Sequence, residues 1–398
     1  MMIKRHLEQK LKTAIGQYPV VTVTGPRQSG KTTLLRGALG GFDYVNLEDP
    51  DRRADAMSDP RAFLGQFKSG VILDEAQQVP SLFSYLQGIV DSTGTPGQFV
   101  LSGSQNFLLM EKISQSLAGR CAILHLMPFS FPELRGWGVM DIANPGGLNA
   151  SAEVPCDLHE MLFSGFYPRI HDRKLPPQDW LANYYQSYIE RDVRQVVNVG
   201  DVEVFNRFVR LCAGRNGQLL NMSSLSGDCG ASAVTVKRWL SILETSFIIK
   251  LLRPHHKNFN KRLIKSPKLY FMDTGLLCYL LRIRNAEDLR FHAMRGSVFE
   301  TWVISELYKN YYHQGLIPDL YFWRDSNGHE VDILMDHGSE LIPVEIKSGQ
   351  TLNEEFFKGL DYFSQLSGAL TKKGLLVYGG VTPASRHGIS VVPWYNWR

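Results

Sequence analysis

Gly25-Pro26-Arg27-Gln28-Ser29-Gly30-Lys31-Thr32 has the spacing of a phosphate-binding loop, with glycines that let backbone N–H groups curl around an anion before a lysine and a hydroxyl. Lys31 is expected to reach the β- and γ-phosphates of ATP, and Thr32 to ligate Mg2+. Gly25, Pro26, Arg27, Gln28, Ser29, Gly30 and Thr33 complete the expected ATP contacts. Asp74 and Glu75 close a later apolar run, Gly70-Val71-Ile72-Leu73, and supply the carboxylates such a site needs. Asp74 would hold the metal through water, and Glu75 would polarise the attacking water. Ser104 or Gln105, at the polar tip of a third run, is placed to sense the γ-phosphate. Arg120 either reaches a phosphate, in its own subunit or a neighbour's, or is a solvated loop arginine.

A second set stands near the other end of the chain: Glu300, Asp332, Glu345 and Lys347. Along a strand, side chains alternate with period two, so Glu345 and Lys347 project together while Val344 and Ile346 face the core. Asp332 and Glu345 are expected to bind one or two Mg2+ or Mn2+ ions, with the Ile346 carbonyl as a further ligand and Glu300 in support. Lys347 would position or deprotonate a water. That chemistry is metal-assisted phosphodiester cleavage. Glu330 joins Asp332 only if its strand is regular. The competing reading is a degenerate centre that binds without cleaving.

The elements that must carry these residues are legible. Val20-Val21-Thr22-Val23-Thr24 reads as a buried strand running into the phosphate loop, and Thr33 to Leu39 as the helix after it. Asp43–Leu47, Gly70–Glu75, Gln98–Gln105 and Cys121–Leu126 add strands, so a parallel sheet covered on both faces is expected. A Gly/Asn/Pro/Ala-rich stretch from Gly136 to Pro155 ends this unit. A helix over Val298–Tyr308 and a hairpin over Glu330–Lys347 hold the second set. The 398 residues, 44% hydrophobic and 21% charged, fit several soluble domains. No apolar run of about 18 residues suggests a membrane span, and the N-terminus has no signal-peptide core, so a cytoplasmic location is expected. The five scattered cysteines form no CxxC pair and read as buried thiols.

Between the two sets, a helix over Met222–Asp228, a glycine turn, a Ser232-capped helix to Thr245 and a strand from Phe247 follow the order of a winged helix-turn-helix. Lys237 and Arg238 sit where such a helix contacts DNA. Lys250, Arg253, Lys257, Lys261, Arg262, Lys265 and Lys268 then follow with no acidic residue among them, a footprint suited to phosphates. His255 and His256 lie in the same stretch.

GPRQSGKTTLL, VILDEAQQVP, LSGSQNFLL and LAGRCAILHLMPFSFPEL, with LFSGFYPRI, YIERDVRQV, LYFMDTGLL and RGSVFETWVISEL, resemble the bacterial and archaeal AAA+-type ATPases that carry a C-terminal domain of unknown function. The resemblance implies a multidomain α/β chain with an AAA+-like P-loop core and a helical lid. It also implies a C-terminal half ending in a restriction-endonuclease-like module, where Glu300, Asp332, Glu345 and Lys347 form a PD-(D/E)XK pattern. Where a double glycine is commoner, this chain has Ser164-Gly165-Phe166. The expected divisions are 1–140 (ATPase core), 141–204 (linker and lid), 205–285 (winged helix with basic wing) and 286–398 (nuclease-like domain). The function expected is a Mg-ATP-hydrolysing ATPase coupled to DNA binding and metal-dependent DNA cleavage. The alternative is a regulatory ATPase with a non-cleaving DNA- or protein-binding platform. DNA is the expected partner, and Arg120 raises a homo-oligomer.

Overall fold

The computed structural model of the chain describes residues 3–103, 113, 115–146, 153–190, 202–255, 265–371 and 374–398. Five parallel strands form the first sheet: β1 Val20–Thr24, β2 Asp43–Asn46, β3 Val71–Asp74, β4 Phe99–Gly103 and β5 Cys121–His125, in the spatial order 2-3-4-1-5. β4 therefore lies between the strands that end in the phosphate loop and in Asp74. Alternation along these strands builds two apolar layers. Val21, Val23, Ile72 and Val100 pack with Leu7 and Leu11 of α1 (Leu7–Ile15) and with Leu34 and Leu35 of α2 (Lys31–Ala38). Val20, Val71, Leu73, Phe99 and Leu101 pack with Leu82, Phe83 and Leu86 on the opposite face. The parallel, doubly covered sheet matches expectation.

Helices then follow, among them Leu158–Ser164, α3 (Pro168–Arg173) and Pro177–Tyr184. α4 (Val202–Gly214), α5 (Met222–Cys229) and α6 (Ala233–Thr245) come next, and then the antiparallel pair β6 (Ile249–Pro254) and β7 (Lys268–Phe271). The Ser232 hydroxyl accepts the Thr235 N–H at 3.1 Å and caps α6. Val236, Leu240 and Leu243 are buried along its stripe, as the spacing predicts.

The second sheet has eight strands. β8 (Leu320–Arg324), β9 (Glu330–Asp336) and β10 (Leu341–Lys347) are antiparallel neighbours. β11 (Leu375–Tyr378) and β13 (Ile389–Pro393) add parallel strands, and β12 (Ala384–Arg386) closes that edge. At the other edge β6 pairs with β8 through Arg253 and Tyr321. The division expected between 285 and 286 therefore runs through one sheet, because the hairpin assigned to the middle region is completed by the C-terminal strands. α7 (Arg295–His313), longer than the Val298–Tyr308 expected, packs against α1 and β5 of the first unit and β7 and β10 of the second. Its polar Thr301, Ser305, Glu306, Lys309, Asn310 and His313 are all buried, so this helix bridges the two halves.

Candidate nucleotide site and C-terminal centre

Two glycines shape the phosphate loop. Gly25 has φ +150°, and a Cβ there would meet the Leu126 carbonyl oxygen at 2.1 Å. Gly30 takes a left-handed conformation, φ 92°, to start α2. Lys31, 6% exposed, donates to the carbonyls of Gly25 and Pro26 at 3.0 and 2.9 Å. Burial pulls its ammonium down to about 8, with Glu75 and Asp74 pulling the other way. The Thr32 hydroxyl donates to Asp74 Oδ2 at 2.7 Å, and Tyr44 to the same oxygen at 2.8 Å. Ser102 of β4 donates to Asp74 Oδ1. A hydroxyl beside a carboxylate at the end of the sheet is the oxygen-donor set Mg2+ prefers, so these residues fit that ion. Glu75 follows in the left-handed region at φ 54° and accepts a hydrogen bond from the Gln77 amide.

A cleft of about 470 Å3 opens above these groups, lined by Arg27, Gln28, Gly30, Lys31, Thr32, Thr33, Glu48 and Glu75 on one side and Pro168, Arg169, Asp172 and Arg173 of α3 on the other. A second cavity of about 270 Å3, between the N-terminal segment, α2 and α3, shares Gly30, Thr33, Pro168 and Asp172 with it. Ile3, Leu34, Ala38 and Phe129 give that cavity apolar walls. Sequence reasoning did not find Tyr44, Ser102 or this cavity. The hydroxyls sit inside β-strand patterns, and the cavity is built from segments far apart in sequence.

Arg120 does not reach its own subunit's phosphate loop. It stands at the amino end of β5, beside the start of β1, whereas the loop follows the carboxyl end of β1. There it makes a paired contact with Asp91. Ser104, Gln105, Lys257, Lys261 and Arg262 lie outside the described residues.

In the C-terminal half, Glu300, Asp332, Glu345 and Lys347 converge, from α7, β9 and β10. Lys347 Nζ is 2.5 Å from Glu345 Oε1 and 3.8 Å from Asp332 Oδ2, and the Ile346 N–H donates to Asp332 at 2.9 Å. Two unexpected residues enter from β7. Tyr270 donates to Glu300 at 2.5 Å, and the Lys268 ammonium lies 3.6 Å from Glu300 and in contact with Glu330. Arg324 also pairs with Glu330, at 3.0 Å. Burial raises the Glu300 carboxyl, with Lys268 opposing. It raises Glu345 too, where Asp332 adds to the rise and Lys347 opposes it.

The expected metal ligands Asp332 and Glu345 are thus already engaged by N–H donors. Among the described residues, no group of three or more His, Cys, Asp or Glu is arranged to hold a metal ion. As folded, the centre does not fit the one or two ions expected of it.

The expected basic stretch also divides. Lys250 pairs with Glu244 at 3.3 Å, His255 is buried against Asp336 at 2.9 Å, and Lys268 turns inward. Arg253 and Lys265 remain exposed, as do Lys237 and Arg238 on α6.

A buried polar bridge joins the phosphate loop to α7. Arg5 donates to the Ser29 carbonyl at 2.7 Å, to Met127 at 2.6 Å and to Glu133 at 3.1 Å. Glu133 lies 3.5 Å from His313, and Glu306 accepts from the Phe131 N–H and pairs with Lys309. Burial opposes the charge on Glu133, but the Arg5 guanidinium leads the groups that outweigh it and hold the carboxyl down at about 2.

Residues 17–135 match the AAA domain family, and residues 156–287 and 295–397 match two domains of unknown function, DUF8612 and DUF4143. The uncharacterized protein Rv2008c of Mycobacterium tuberculosis is 31% identical over 356 residues, covering 87% of this chain and 74% of the relative. The uncharacterized protein Mb2031c of Mycobacterium bovis is similar to the same extent. Among solved structures, the Walker-type ATPase PABY2304 of Pyrococcus abyssi has a TM-score of 0.46 at 13% identity, covering 70% of this chain and 96% of that one. The RuvB Holliday junction branch migration motor of Thermotoga maritima has a TM-score of 0.28 at 18% identity, covering 62% and 88%.

Proposed function

The chain belongs to the AAA-type P-loop ATPases, in one family with the two mycobacterial proteins, and on that premise we propose that ATP turnover switches its grip on DNA. ATP binding and hydrolysis are the properties of an AAA domain. The finer reading concerns what the turnover serves, and one observation carries it: Arg5 donates to the carbonyls of Ser29 in the phosphate loop and of Met127, whose N–H donates to His313 of the helix that also carries Glu300.

Within the ATP site, Thr32 and Asp74 would hold Mg2+, which would supply positive charge beside the phosphates. Lys31 leaves its two carbonyls for the phosphates. Glu75 orients water at the mouth of the cleft, and Arg169 and Arg173 bring positive charge from α3. The smaller cavity, which shares Gly30, Thr33, Pro168 and Asp172 with the cleft and has Ile3, Leu34, Ala38 and Phe129 in its walls, takes the base. Arg120, half-buried beside Asp91 and distant from its own site, would act on phosphate only in a neighbouring subunit.

DNA contact belongs to the middle region. α4, the Leu219–Lys268 bridge, α5, α6, β6 and β7 follow in the order of a winged helix, with Lys237 and Arg238 exposed near the start of α6. The lysine-filled C-terminal centre favours the non-cleaving platform over the nuclease. The assembly of Glu300, Asp332, Glu345 and Lys347 keeps cleavage as the second reading. Among the described residues, no helix is long and apolar enough to cross a membrane.

The test is a salt-titrated DNA affinity for wild type and for Lys237→Glu/Arg238→Glu. The double variant should bind about tenfold more weakly or worse and show a shallower salt slope. Unchanged affinity and slope would remove α6 from the DNA surface.

A further inference from the structure

The turn that ends α6 carries a side chain its backbone disfavours. The Ile248 N–H donates to the Leu243 carbonyl at 2.9 Å and the Phe247 N–H to that of Glu244 at 3.1 Å, the pattern that closes a helix through a left-handed residue, usually glycine. Here that residue is Phe247, at φ 59°. A bulky side chain rarely sits in this region, and such outliers gather at ligand sites. The Phe247 ring lies 5.4 Å from the ring of His125 and 6.1 Å from that of Tyr312, and those two rings are 5.0 Å apart.

The three rings line a cavity of about 480 Å3, as large as the cleft above the phosphate loop and sharing no lining residue with it. It lies where β5 of the first sheet meets α6, β6, α7 and β8. Lys250 and Arg253 of β6 bring two cations to it. The Lys250 ammonium is 5.6 Å from the Tyr308 ring centroid and 3.3 Å from Glu244, and Arg253 is exposed. His125 Nδ1 is buried with no hydrogen-bond partner among the described residues, a costly state that a ligand's polar edge would relieve. Burial, aided by Lys250, pulls the imidazole down to about 4, so at neutral pH the ring has one nitrogen to donate and one to accept.

Aromatic faces take a planar ring, and cations beside them take anionic oxygens. A neutral imidazole can pair with a polar ring edge. A nucleotide offers all three features, and only an unpaired one has its base faces free to enter. We propose that this cavity binds one unpaired nucleotide, with the base against Phe247 and Tyr312 and the phosphate at Arg253 and Lys250. A free mononucleotide and a single strand present the same chemistry. The site goes beyond the α6 surface and does not depend on it.

The experiment is calorimetric titration of thymidine monophosphate, a tetrathymidylate and inorganic phosphate into the full chain, with Lys31→Ala present throughout to silence the phosphate loop. One site per chain should bind a nucleotide probe at least about tenfold more tightly than inorganic phosphate. Phe247→Gly places glycine where the turn favours it, so the chain stays folded, and Arg253→Glu changes an exposed residue. Each should weaken nucleotide binding by about tenfold or more, whereas Lys237→Glu/Arg238→Glu should leave the affinity for thymidine monophosphate unchanged. Binding of the monophosphate makes a free nucleotide an occupant, and binding of the tetrathymidylate alone makes the occupant a strand. No binding of either probe, phosphate binding as tight as nucleotide, or an affinity that survives Phe247→Gly or Arg253→Glu unchanged would overturn the proposal.

Discussion

In the phosphate-loop centre the lysine rests on main-chain carbonyls, and the carboxylate beside it is held by hydroxyls from Thr32, Tyr44 and Ser102. In the C-terminal centre the lysines lie directly on the carboxylates. Both centres use Lys with Asp or Glu at strand ends, yet the first keeps an open cleft of about 470 Å3 and the second fills itself. Residue types alone do not separate a site awaiting a ligand from one that supplies its own counter-charge. What separates them is where the lysine is anchored.

The largest effect should come from breaking the open centre. Lys31→Ala should weaken ATP binding by about 100-fold or more, through lost charge-assisted hydrogen bonds. Glu75→Gln should keep ATP affinity and lower kcat by about 10²–10⁴. Equilibrium ATP binding and steady-state turnover check both, and wild-type turnover in Glu75→Gln would reassign the base.

Stability sharpens the contrast. Lys268→Ala leaves half-buried Glu300 and Glu330 with one cation fewer, beside Tyr270 and Arg324, and should destabilise the fold by about 1–3 kcal/mol. Lys31→Ala removes a desolvated ammonium that rests on two main-chain carbonyls and should change stability far less. Urea denaturation of the two variants compares them directly. Equal losses would mean the lysines play the same structural part.

A pH series gives a smaller effect. Lys31 titrates near 8 in the free protein, and bound phosphates favour its charged form, so binding takes up a proton above that pH. ATP affinity should be flat below pH 8 and fall above it, by up to about tenfold per unit. Lys31→Arg should remove the bend, because a guanidinium does not titrate there. A bend that persists belongs to another group.

The P-loop half was legible because its chemistry is local. Gly25 to Thr32 is one contiguous turn, and Asp74 ends a strand whose burial follows from Val71, Ile72 and Leu73. The hairpin over Glu330–Lys347 and the cap at Ser232 were equally readable. Lys268 was not. In sequence it is one more cation in an acid-free run, and only the pairing of β6 with β8 turns it toward Glu300 and Glu330. Arg5 was hidden in the same way: its partners Ser29, Met127 and Glu133 come from distant turns. Arg120 stayed open between a phosphate contact and a solvated loop arginine, because sequence places it near a strand without saying which end of the sheet that strand start occupies.

The bridge from the phosphate loop predicts the smallest change. Arg5→Ala should leave ATP binding nearly intact and reduce any nucleotide effect on DNA affinity by about fivefold. An undiminished effect would take the bridge out of the coupling.

The switch itself is tested most directly by the DNA affinity of Glu75→Gln, which holds ATP without turning it over, compared in saturating ATP and in saturating ADP at one salt concentration. The two affinities should differ by about 5–150-fold, the usual span of allosteric coupling. Equal affinities in ATP and ADP would contradict a nucleotide-controlled grip on DNA.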